Sequence, residues 1–428
     1  MLQSINLFIR EPMIFLSRLL TLLLLSLLVS FPIQLRIREA SAAEEPLPLL
    51  SGLEEAVEFW KLAFTRYSGS ELIFHDPLEP MRIYRVLGVG PGSPPPRLIE
   101  EEKGKILREY GLERDEKRVR VQRGLKERFA SGLRLSSRYI GQMQRILLVE
   151  GLPPELAYLP LVESSFDIHA RSRAGALGMW QFMPSTGKKF LRIGPAVDER
   201  RDPVESTRAA ARFLRQNYEI FGKWPLAITA YNHGTAGILR AIAEVGSKEL
   251  MEIIQRYQGP SFGFASKSFY AEFLAALEVA KRSEEFFPNL EYHPPFPLEE
   301  IEMKRAVSIT DLLKPTRIQR DEFLGWNPAL SPKVRDLPKG YRVKVPAEKL
   351  ELFLVAYRRT SEPSPGKLQT VPVPESALSW TRHRVVSGET LSQIAKIYRI
   401  SMREIKQANR LASAHLITAG QDLKIPKR

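Results

Sequence analysis

Three short clusters in the middle of the chain carry side chains suited to chemistry on sugars. Glu163 ends an apolar run, Trp180 and Gln181 lie in the second cluster, and Tyr231 and Asn232 lie in the third. A carboxyl group in apolar surroundings has a raised pKa and can donate a proton near neutral pH, because burial disfavours the carboxylate. Amides can bind sugar hydroxyls and aromatic rings can stack on sugar faces. The three clusters therefore predict a site that cleaves glycosidic bonds.

Helices are predicted to position these clusters. The sequence Gly151-Leu152-Pro153-Pro154 ends one helix and starts the next, with proline in its first turn, and that next helix carries Glu163 near its end. Another helix is predicted from Asp202-Pro203 through Tyr218, and its alanine-rich middle indicates burial. A further helix begins at Trp224 and leads to the third cluster. The region around the candidate site is thus predicted to be nearly all α.

The residue types and the spacing of the three clusters resemble those of the goose-type lysozyme-like (SLT) catalytic domain of bacterial lytic transglycosylases. The similarity is strongest to the membrane-bound lytic murein transglycosylase D family, and it extends from about residue 55 to the C-terminus. It implies an α+β multidomain chain with a mostly α-helical lysozyme-like domain. It also implies a lyase that cleaves peptidoglycan between N-acetylmuramic acid and N-acetylglucosamine, leaving 1,6-anhydro ends. In that family a single glutamate, here Glu163, acts as acid and then as base.

The resemblance and the residue types together give each remaining cluster residue an expected role and an alternative. Ser172 is placed near the muramic acetamido group, or is a turn residue. Gln181 is an amide in an apolar stretch that sugar hydroxyls would satisfy. Trp180 is expected to bind substrate or to pack in the core. Tyr231 is expected to hydrogen-bond Glu163 or the sugar ring, and Asn232 binds substrate or caps a helix.

Two other functions are compatible with the sequence. Most glycosidases use two carboxylates, and Asp167 is the nearest second candidate to Glu163, so a muramidase that uses water is one alternative. A protein that binds the cell wall without cleaving it is the other. The six histidines show no metal-ligand spacing, and no glycine-rich phosphate loop is present, so we expect neither a metal nor a cofactor.

The C-terminal segment, residues 383–428, is predicted to place two short strands around two short helices, with Thr390 and Gln393 as a capping box. It resembles a LysM module, which implies binding of glycans that contain N-acetylglucosamine. The residues implied in that contact are Gly388, Glu389, Thr390, Leu391, Leu416 and Ile417. For Leu391 core packing is the alternative. Residues 301–347 look like a degenerate relative in which sugar binding stays open.

These observations predict seven segments. The expected organisation is a signal peptide or N-terminal anchor at 1–43, a helical N-terminal region at 44–130, the catalytic domain at 131–283, a proline-rich linker at 284–300, the degenerate LysM-like module at 301–347, a second linker at 348–382 and the LysM domain at 383–428.

Charge and the N-terminus indicate the compartment. Basic residues precede an apolar run at 19–29, and the small residues at 40–43 offer a cleavage site, as in a secretory signal. Two arginines between these segments favour an uncleaved anchor as the alternative. We therefore expect a protein of the periplasm or cell envelope, exported or tethered to the inner membrane. The absence of cysteine excludes a lipoprotein. The net charge of +14 suits polyanionic partners. The expected partner is peptidoglycan and not nucleic acid.

Overall fold

The computed structural model describes residues 46–296, 298–360, 380–386, 389–398, 400–409, 411 and 417–426. The predicted signal or anchor at 1–43 lies outside these residues. The chain divides into two compact units, Met1–Thr360 and Ser361–Arg428. Within the described residues, no helix combines the length and the apolar character needed to cross a membrane.

Helices are the main regular structure among the described residues of the first unit. In chain order they are α1 (Glu54–Thr65), α2 (Pro96–Glu109), α3 (Lys126–Ser136), α4 (Ile140–Val149), α5 (Pro160–Glu163), α6 (Pro184–Gly187), α7 (Pro203–Phe221), α8 (Trp224–His233), α9 (Thr235–Val245), α10 (Leu250–Arg256), α11 (Phe264–Lys281), α12 (Ser283–Phe286), α13 (Ile309–Leu313), α14 (Arg320–Trp326) and α15 (Leu350–Arg359). The prediction of an α+β multidomain chain with a mostly helical domain is confirmed.

The strands form small separate sheets. They are β1 (Glu71–His75), β2 (Ile83–Gly88), β3 (Arg120–Arg123), β4 (Leu298–Glu302), β5 (Val307–Ser308), β6 (Asp336–Leu337) and β7 (Arg342–Pro346). β1 is the centre of a three-stranded antiparallel sheet in the order β2-β1-β3, and β4 pairs with β7 and β5 with β6. The first of these sheets lies in the segment predicted to be helical, 44–130. Its strands are too short for periodicity to distinguish them from helix.

The main core surrounds α8 and α7. α7 begins as predicted: the Asp202 carboxylate accepts hydrogen bonds from the amides of Val204 and Glu205, and Pro203 occupies the first turn. Gly222 ends the helix in the left-handed region. Every α8 residue from Trp224 to Ala230 is buried, which makes this helix the centre of the helical domain.

Residues 298–360, here called the 298–360 module, pack directly against the helical domain. Its apolar core includes Val197 of that domain. Lys344 of β7 forms a buried ion pair with Asp202, 2.6 Å between Nζ and Oδ2. Both of the predicted linkers on either side contain regular structure, since β4 starts at Leu298 and α15 buries Phe353. The prolines of 284–300 indicated a linker, although β4 begins within this segment and belongs to a module that packs against the helical domain.

The second unit contains β8 (Trp380–Arg384), α16 (Leu391–Ile397), α17 (Met402–Ala408) and β9 (Asp422–Pro426). β8 and β9 are antiparallel neighbours. The predicted capping box is present: the amide of Gln393 donates to the hydroxyl of Thr390, and the Gln393 side chain accepts from the Thr390 amide. A small apolar core includes Ile394, Ile405 and Leu423.

Candidate active site

Glu163 is the last residue of the single-turn helix α5. Pro160 occupies the first turn of α5, and the amide of Ser164 closes the helix by donating to the Pro160 carbonyl. The side chain of Glu163 is half-buried, and α11 packs against α5. Burial raises the pKa of Glu163 to about 8, because the apolar surroundings disfavour the carboxylate. At neutral pH this carboxyl therefore holds its proton and is suited to general acid catalysis.

The backbone on both sides of the site adopts conformations that side chains rarely take. Ser165, Phe166 and Gln181 have φ angles of 56°, 60° and 48°. Left-handed backbone in non-glycine residues persists only where the surroundings impose it, and it concentrates at functional sites. Ser164 joins the two segments, since its hydroxyl donates to the carbonyl oxygen of Met179 at 2.9 Å. The end of α5 and the second cluster are thus held in one fixed arrangement.

The loop that carries the second cluster is fastened by Arg200, which sequence reasoning missed. The guanidinium is almost fully buried and donates to the carbonyl oxygens of Gly175 and Phe182 at 3.0 and 3.2 Å. Asp198 holds it through two hydrogen bonds of 2.9 and 2.7 Å. Gly178, at a φ of 80°, passes so close to the Arg200 carbonyl that any side chain there would collide with it. No local pattern in the sequence signals this contact.

Trp180 packs in the core of the helical domain. Its ring is fully buried, and its indole nitrogen donates to the Thr207 hydroxyl at 2.9 Å. This placement corrects the expectation that the ring faces substrate and supports the alternative of core packing. Its backbone contributes to the site instead, because the Trp180 carbonyl accepts a hydrogen bond from Tyr231.

Tyr231 lies between the core and Glu163. Its hydroxyl donates to the Trp180 carbonyl oxygen at 2.8 Å, so the expected hydrogen bond to Glu163 is not formed in this structure. Burial is the main reason that the pKa of Tyr231 is far above its usual range, and the charge of Glu163 adds to the effect. That electrostatic influence means that the two side chains are neighbours. The Tyr231 ring also packs against Phe182 and Phe213.

The three remaining polar residues of the clusters have protein partners. The amide nitrogen of Gln181 donates to the carbonyl oxygens of Ala170 and Gly178. The hydroxyl of half-buried Ser172 accepts from the Ala176 amide at 2.9 Å, as in a turn. The exposed Asn232 accepts a hydrogen bond from Ser266 through its side-chain oxygen. Each of these contacts orients the side chain on the loop or helix that carries it.

A second carboxyl group near Glu163 comes from Glu272 of α11. The pKa of Glu272 is raised to about 8, chiefly by burial and also by the charge of Glu163, while Arg128 opposes the shift. Arg128 also donates to the hydroxyl of Ser165, next to the end of α5. Sequence reasoning missed Glu272, although an acid within the apolar run Phe269–Leu277 was a usable signal.

Asp167, the second carboxylate expected from the sequence, has a different environment. Its side chain is exposed, and it accepts a hydrogen bond from the His169 amide two residues later. This is a local turn contact. Proximity in sequence was misleading because the chain turns sharply after α5, so the second carboxyl group comes from a helix distant in sequence.

In the C-terminal unit, the residues predicted to contact glycan differ in their burial and in their hydrogen bonds. Glu389 accepts hydrogen bonds from the Val386 amide at 3.0 Å and from His383 at 2.9 Å, and these contacts lower its pKa, the amide contact foremost. Thr390 caps α16 and Leu391 is buried in the core, while Ile417 is half-buried. Gly388 and Leu416 lie outside the described residues.

Comparison with known proteins agrees with this geometry. Residues 148–254 match the family described as Transglycosylase SLT domain, and residues 383–426 match the LysM domain family. Membrane-bound lytic murein transglycosylase D of Escherichia coli K12 is 28% identical over 295 residues, which cover 64% of this chain and 60% of that protein. A protein of Alteromonas named as a tributyltin chloride resistance protein is 43% identical over 99 residues, 23% of this chain and 48% of its own length.

Among solved structures, the soluble lytic transglycosylase SLT70 of Escherichia coli shares 20% identity, covers 36% of this chain and 25% of its own, and has a TM-score of 0.29. The chain spans less than two thirds of the length of the transglycosylase D that it matches. The family matches thus make residues 148–254 similar to Transglycosylase SLT domains and residues 383–426 similar to LysM domains.

Proposed function

We propose that the chain is a peptidoglycan lytic transglycosylase. It cleaves the β-1,4 bond between N-acetylmuramic acid and N-acetylglucosamine and leaves 1,6-anhydro-muramic ends. The observation that carries the proposal is the raised pKa of Glu163, about 8. Its half-buried carboxyl group lies within the region that matches the SLT domain. The similarity to a lytic murein transglycosylase supports the same activity.

In the first step Glu163 acts as a general acid. Its proton passes to the glycosidic oxygen while the bond from that oxygen to the muramic anomeric carbon breaks. The departing N-acetylglucosamine leaves with a hydroxyl group, and positive charge develops at the anomeric carbon. The muramic acetamido oxygen stabilises this charge, and we assign Ser172 to orienting the acetamido group.

In the second step the same carboxylate acts as a base. Glu163 takes the proton of the muramic C6 hydroxyl, and the C6 oxygen forms a bond to the anomeric carbon. No water is consumed, and Glu163 recovers the proton that it gave. The attacking group belongs to the substrate, so its high effective concentration replaces an activated water.

The other predicted site residues are proposed to bind the glycan. We assign Gln181 and Tyr231 to this role, and hydrogen bonds to the carbonyl oxygens of Gly178 and Trp180 orient their side chains. Asn232 is exposed at the end of α8, where it can meet a sugar hydroxyl. Trp180 contributes by supporting Tyr231 from the core.

A water-using muramidase is the second candidate, and Glu272 is the observation that favours it. A second carboxyl group near the acid is the usual arrangement in glycoside hydrolysis. In that mechanism Glu272 would take the proton of an attacking water, and the product would carry a reducing muramic end. The two mechanisms therefore differ by one water in their products.

Digestion of peptidoglycan in heavy-oxygen water separates the two candidates. We expect muramic ends with the mass of the anhydro form and without label, measured by mass spectrometry. Incorporation of one labelled oxygen for each cleaved bond would overturn the transglycosylase proposal and support the muramidase. Absence of any cleavage by the intact chain would support a wall-binding protein without activity.

We also propose that the C-terminal LysM domain binds N-acetylglucosamine-containing glycan and so brings the enzyme to the wall. The assigned residues are Gly388, Glu389, Thr390, Leu391, Leu416 and Ile417. This partner implies that the protein acts in the periplasm or cell envelope. The N-terminal segment would either export the protein as a signal or tether it to the inner membrane. The bounds predicted for the catalytic domain, 131–283, and for the LysM domain, 383–428, are proposed on the same basis.

A further inference from the structure

A polar cavity lies where the SLT domain meets the 298–360 module. Its volume is about 400 Å³, and Glu163 does not line it. The SLT domain contributes the segment after α6 and part of α7, and the module contributes β4 and the start of β7. Four of its lining residues are cationic: Lys188, Arg192, Arg212 and Arg342.

These four cations differ in whether the protein already neutralises them. Arg342 lies 3.3 Å from the Glu205 carboxylate, and Arg192 lies 3.9 Å from that of Glu199. Lys188 and Arg212 have no ion pair among the residues that the structure describes. Arg212 is also half-buried, and a cation partly removed from water without an anion nearby is unfavourable. A ligand that supplies carboxylates would correct this imbalance.

The opposite charge is available in the same cavity. Glu199 is almost fully buried, and burial together with the neighbouring Glu205 and Asp202 raises its pKa. Glu302 also lines the cavity, and it forms an ion pair with Lys304, which does not line the cavity. The cavity therefore offers free cations and carboxyl groups that an ammonium would stabilise, which suits a ligand that carries charges of both signs.

The cavity is close to the catalytic residues. Phe190 lines it, and the Phe190 ring centroid lies 5.9 Å from that of Phe213. The Phe213 centroid lies 5.3 Å from that of Tyr231, the neighbour of Glu163. One ring thus separates a residue that lines the cavity from Tyr231, so the cavity lies beside the candidate active site.

Buried ion pairs hold the two walls together. Lys344 reaches Asp202 at 2.6 Å, and Arg208 reaches Glu300 through two hydrogen bonds of 2.8 and 3.0 Å. Because these contacts fix the module against the SLT domain, the cavity is formed before a ligand arrives, which reduces the entropy lost on binding.

We propose that this cavity binds the peptide side arm of the peptidoglycan strand, a short peptide with free carboxylates and an amino group. The inference rests on the proposed function for the identity of the polymer. The sugar backbone offers mainly uncharged hydroxyl and acetamido groups, whereas the peptide supplies the carboxylates that Lys188 and Arg212 lack. The cavity would make the enzyme distinguish strands that carry peptides from strands that do not.

Binding of the free side-arm peptide to the intact chain tests the site without relying on catalysis. Isothermal titration should detect binding to the wild type, and the double substitution of Lys188→Ala and Arg212→Ala should weaken it about tenfold or more, because two charge-assisted contacts are lost. A peptide with its carboxylates amidated should bind as weakly. The matched control is Arg145→Ala, which removes an exposed cation of α4 that does not line the cavity.

Kinetics on two substrates then relate the site to the reaction. On glycan strands with intact peptides the double variant should raise KM about tenfold with kcat within about twofold, and on strands stripped of peptide by an amidase it should match the wild type. Equal peptide binding by wild type and double variant, or no binding to either, would overturn the inference. Peptide binding by a chain that cleaves neither substrate would instead refute the proposed activity and leave the site standing.

Discussion

The carboxyl groups of Glu163 and Glu272 are electrostatic neighbours: the charge of Glu163 raises the pKa of Glu272, which burial has already raised. Two such groups cannot both ionise readily, so one proton stays on the pair over a wide pH range. Residues from α5 and α11 thus form a site whose acid form persists at neutral pH. This relationship gives Glu272 a place in the chemistry under either candidate mechanism.

Removal of the acid should abolish turnover without unfolding the protein. Glu163→Gln keeps the shape of the side chain and removes its proton. We expect kcat to fall by at least about a hundredfold, within the range for general acid–base groups. Release of soluble muropeptides measures the activity, and circular dichroism checks the fold. Near-normal turnover by this variant would exclude Glu163 as the acid.

Glu272→Gln should change the pH dependence of the reaction more than its maximum rate. In the wild type the charge of Glu163 raises the pKa of Glu272, and because like-charge repulsion is mutual, ionisation of either carboxyl group opposes ionisation of the other. Glutamine cannot ionise, so the alkaline limb of the kcat/KM profile should move to lower pH. Profiles for wild type and variant, recorded in the same buffers, measure the shift.

Asp167→Asn provides the matched control for that experiment. It also neutralises an acid close to Glu163 in sequence, but Asp167 is exposed and makes a local turn contact. We expect its profile to overlay that of the wild type. A shift in Asp167→Asn together with an unchanged Glu272→Gln would return the role of second carboxylate to Asp167.

Some features of this site could be predicted from the sequence, and others could not. Apolar neighbours of Glu163 correctly predicted the direction of its pKa shift, and the Asp202-Pro203 and Thr390–Gln393 signals correctly predicted where two helices begin. These features depend on residues close together in the chain. The apolar run around Glu272 signals a buried acid, but its approach to Glu163 and the contacts of Arg200 depend on packing between elements far apart in sequence, which local patterns do not reveal.

The raised pKa of Glu163 also predicts how stability depends on pH. The folded state keeps a proton that the unfolded state loses above about pH 4.5, so the wild type should lose stability as pH rises from there towards about 8. Glu163→Gln removes this loss. At pH 8.5 the variant should be more stable by at least about 1 kcal/mol, or about 2–4 °C in Tm. At pH 4 the difference should be much smaller, and an equal gain at both pH values would contradict the assignment.

Arg200 is predicted to position the loop that carries Gln181. Arg200→Ala removes the hydrogen bonds to Gly175 and Phe182 and leaves Asp198 without its cation. We expect a loss of about 3 kcal/mol in the free energy of unfolding, measured with denaturant. Arg200→Lys keeps the charge but not the planar fork of donors. Arg200→Lys should therefore restore part of the stability, while kcat is reduced, as in Arg200→Ala, and KM changes little. Arg173→Ala, at an exposed position, should leave the stability and kcat unchanged.

The C-terminal unit should act on binding and not on chemistry. It is a separate compact unit with its own apolar core, so removal of Ser361–Arg428 should leave the first unit folded. Because its family match is LysM, the shortened chain should sediment less with insoluble peptidoglycan at equal protein concentration. Its kcat/KM on short soluble glycans should stay within about twofold of the wild type, since the residues assigned to catalysis all lie before Thr360. Loss of activity on both substrates would mean that the unit completes the active site, because a module that only anchors the enzyme cannot change cleavage of a glycan that is already in solution.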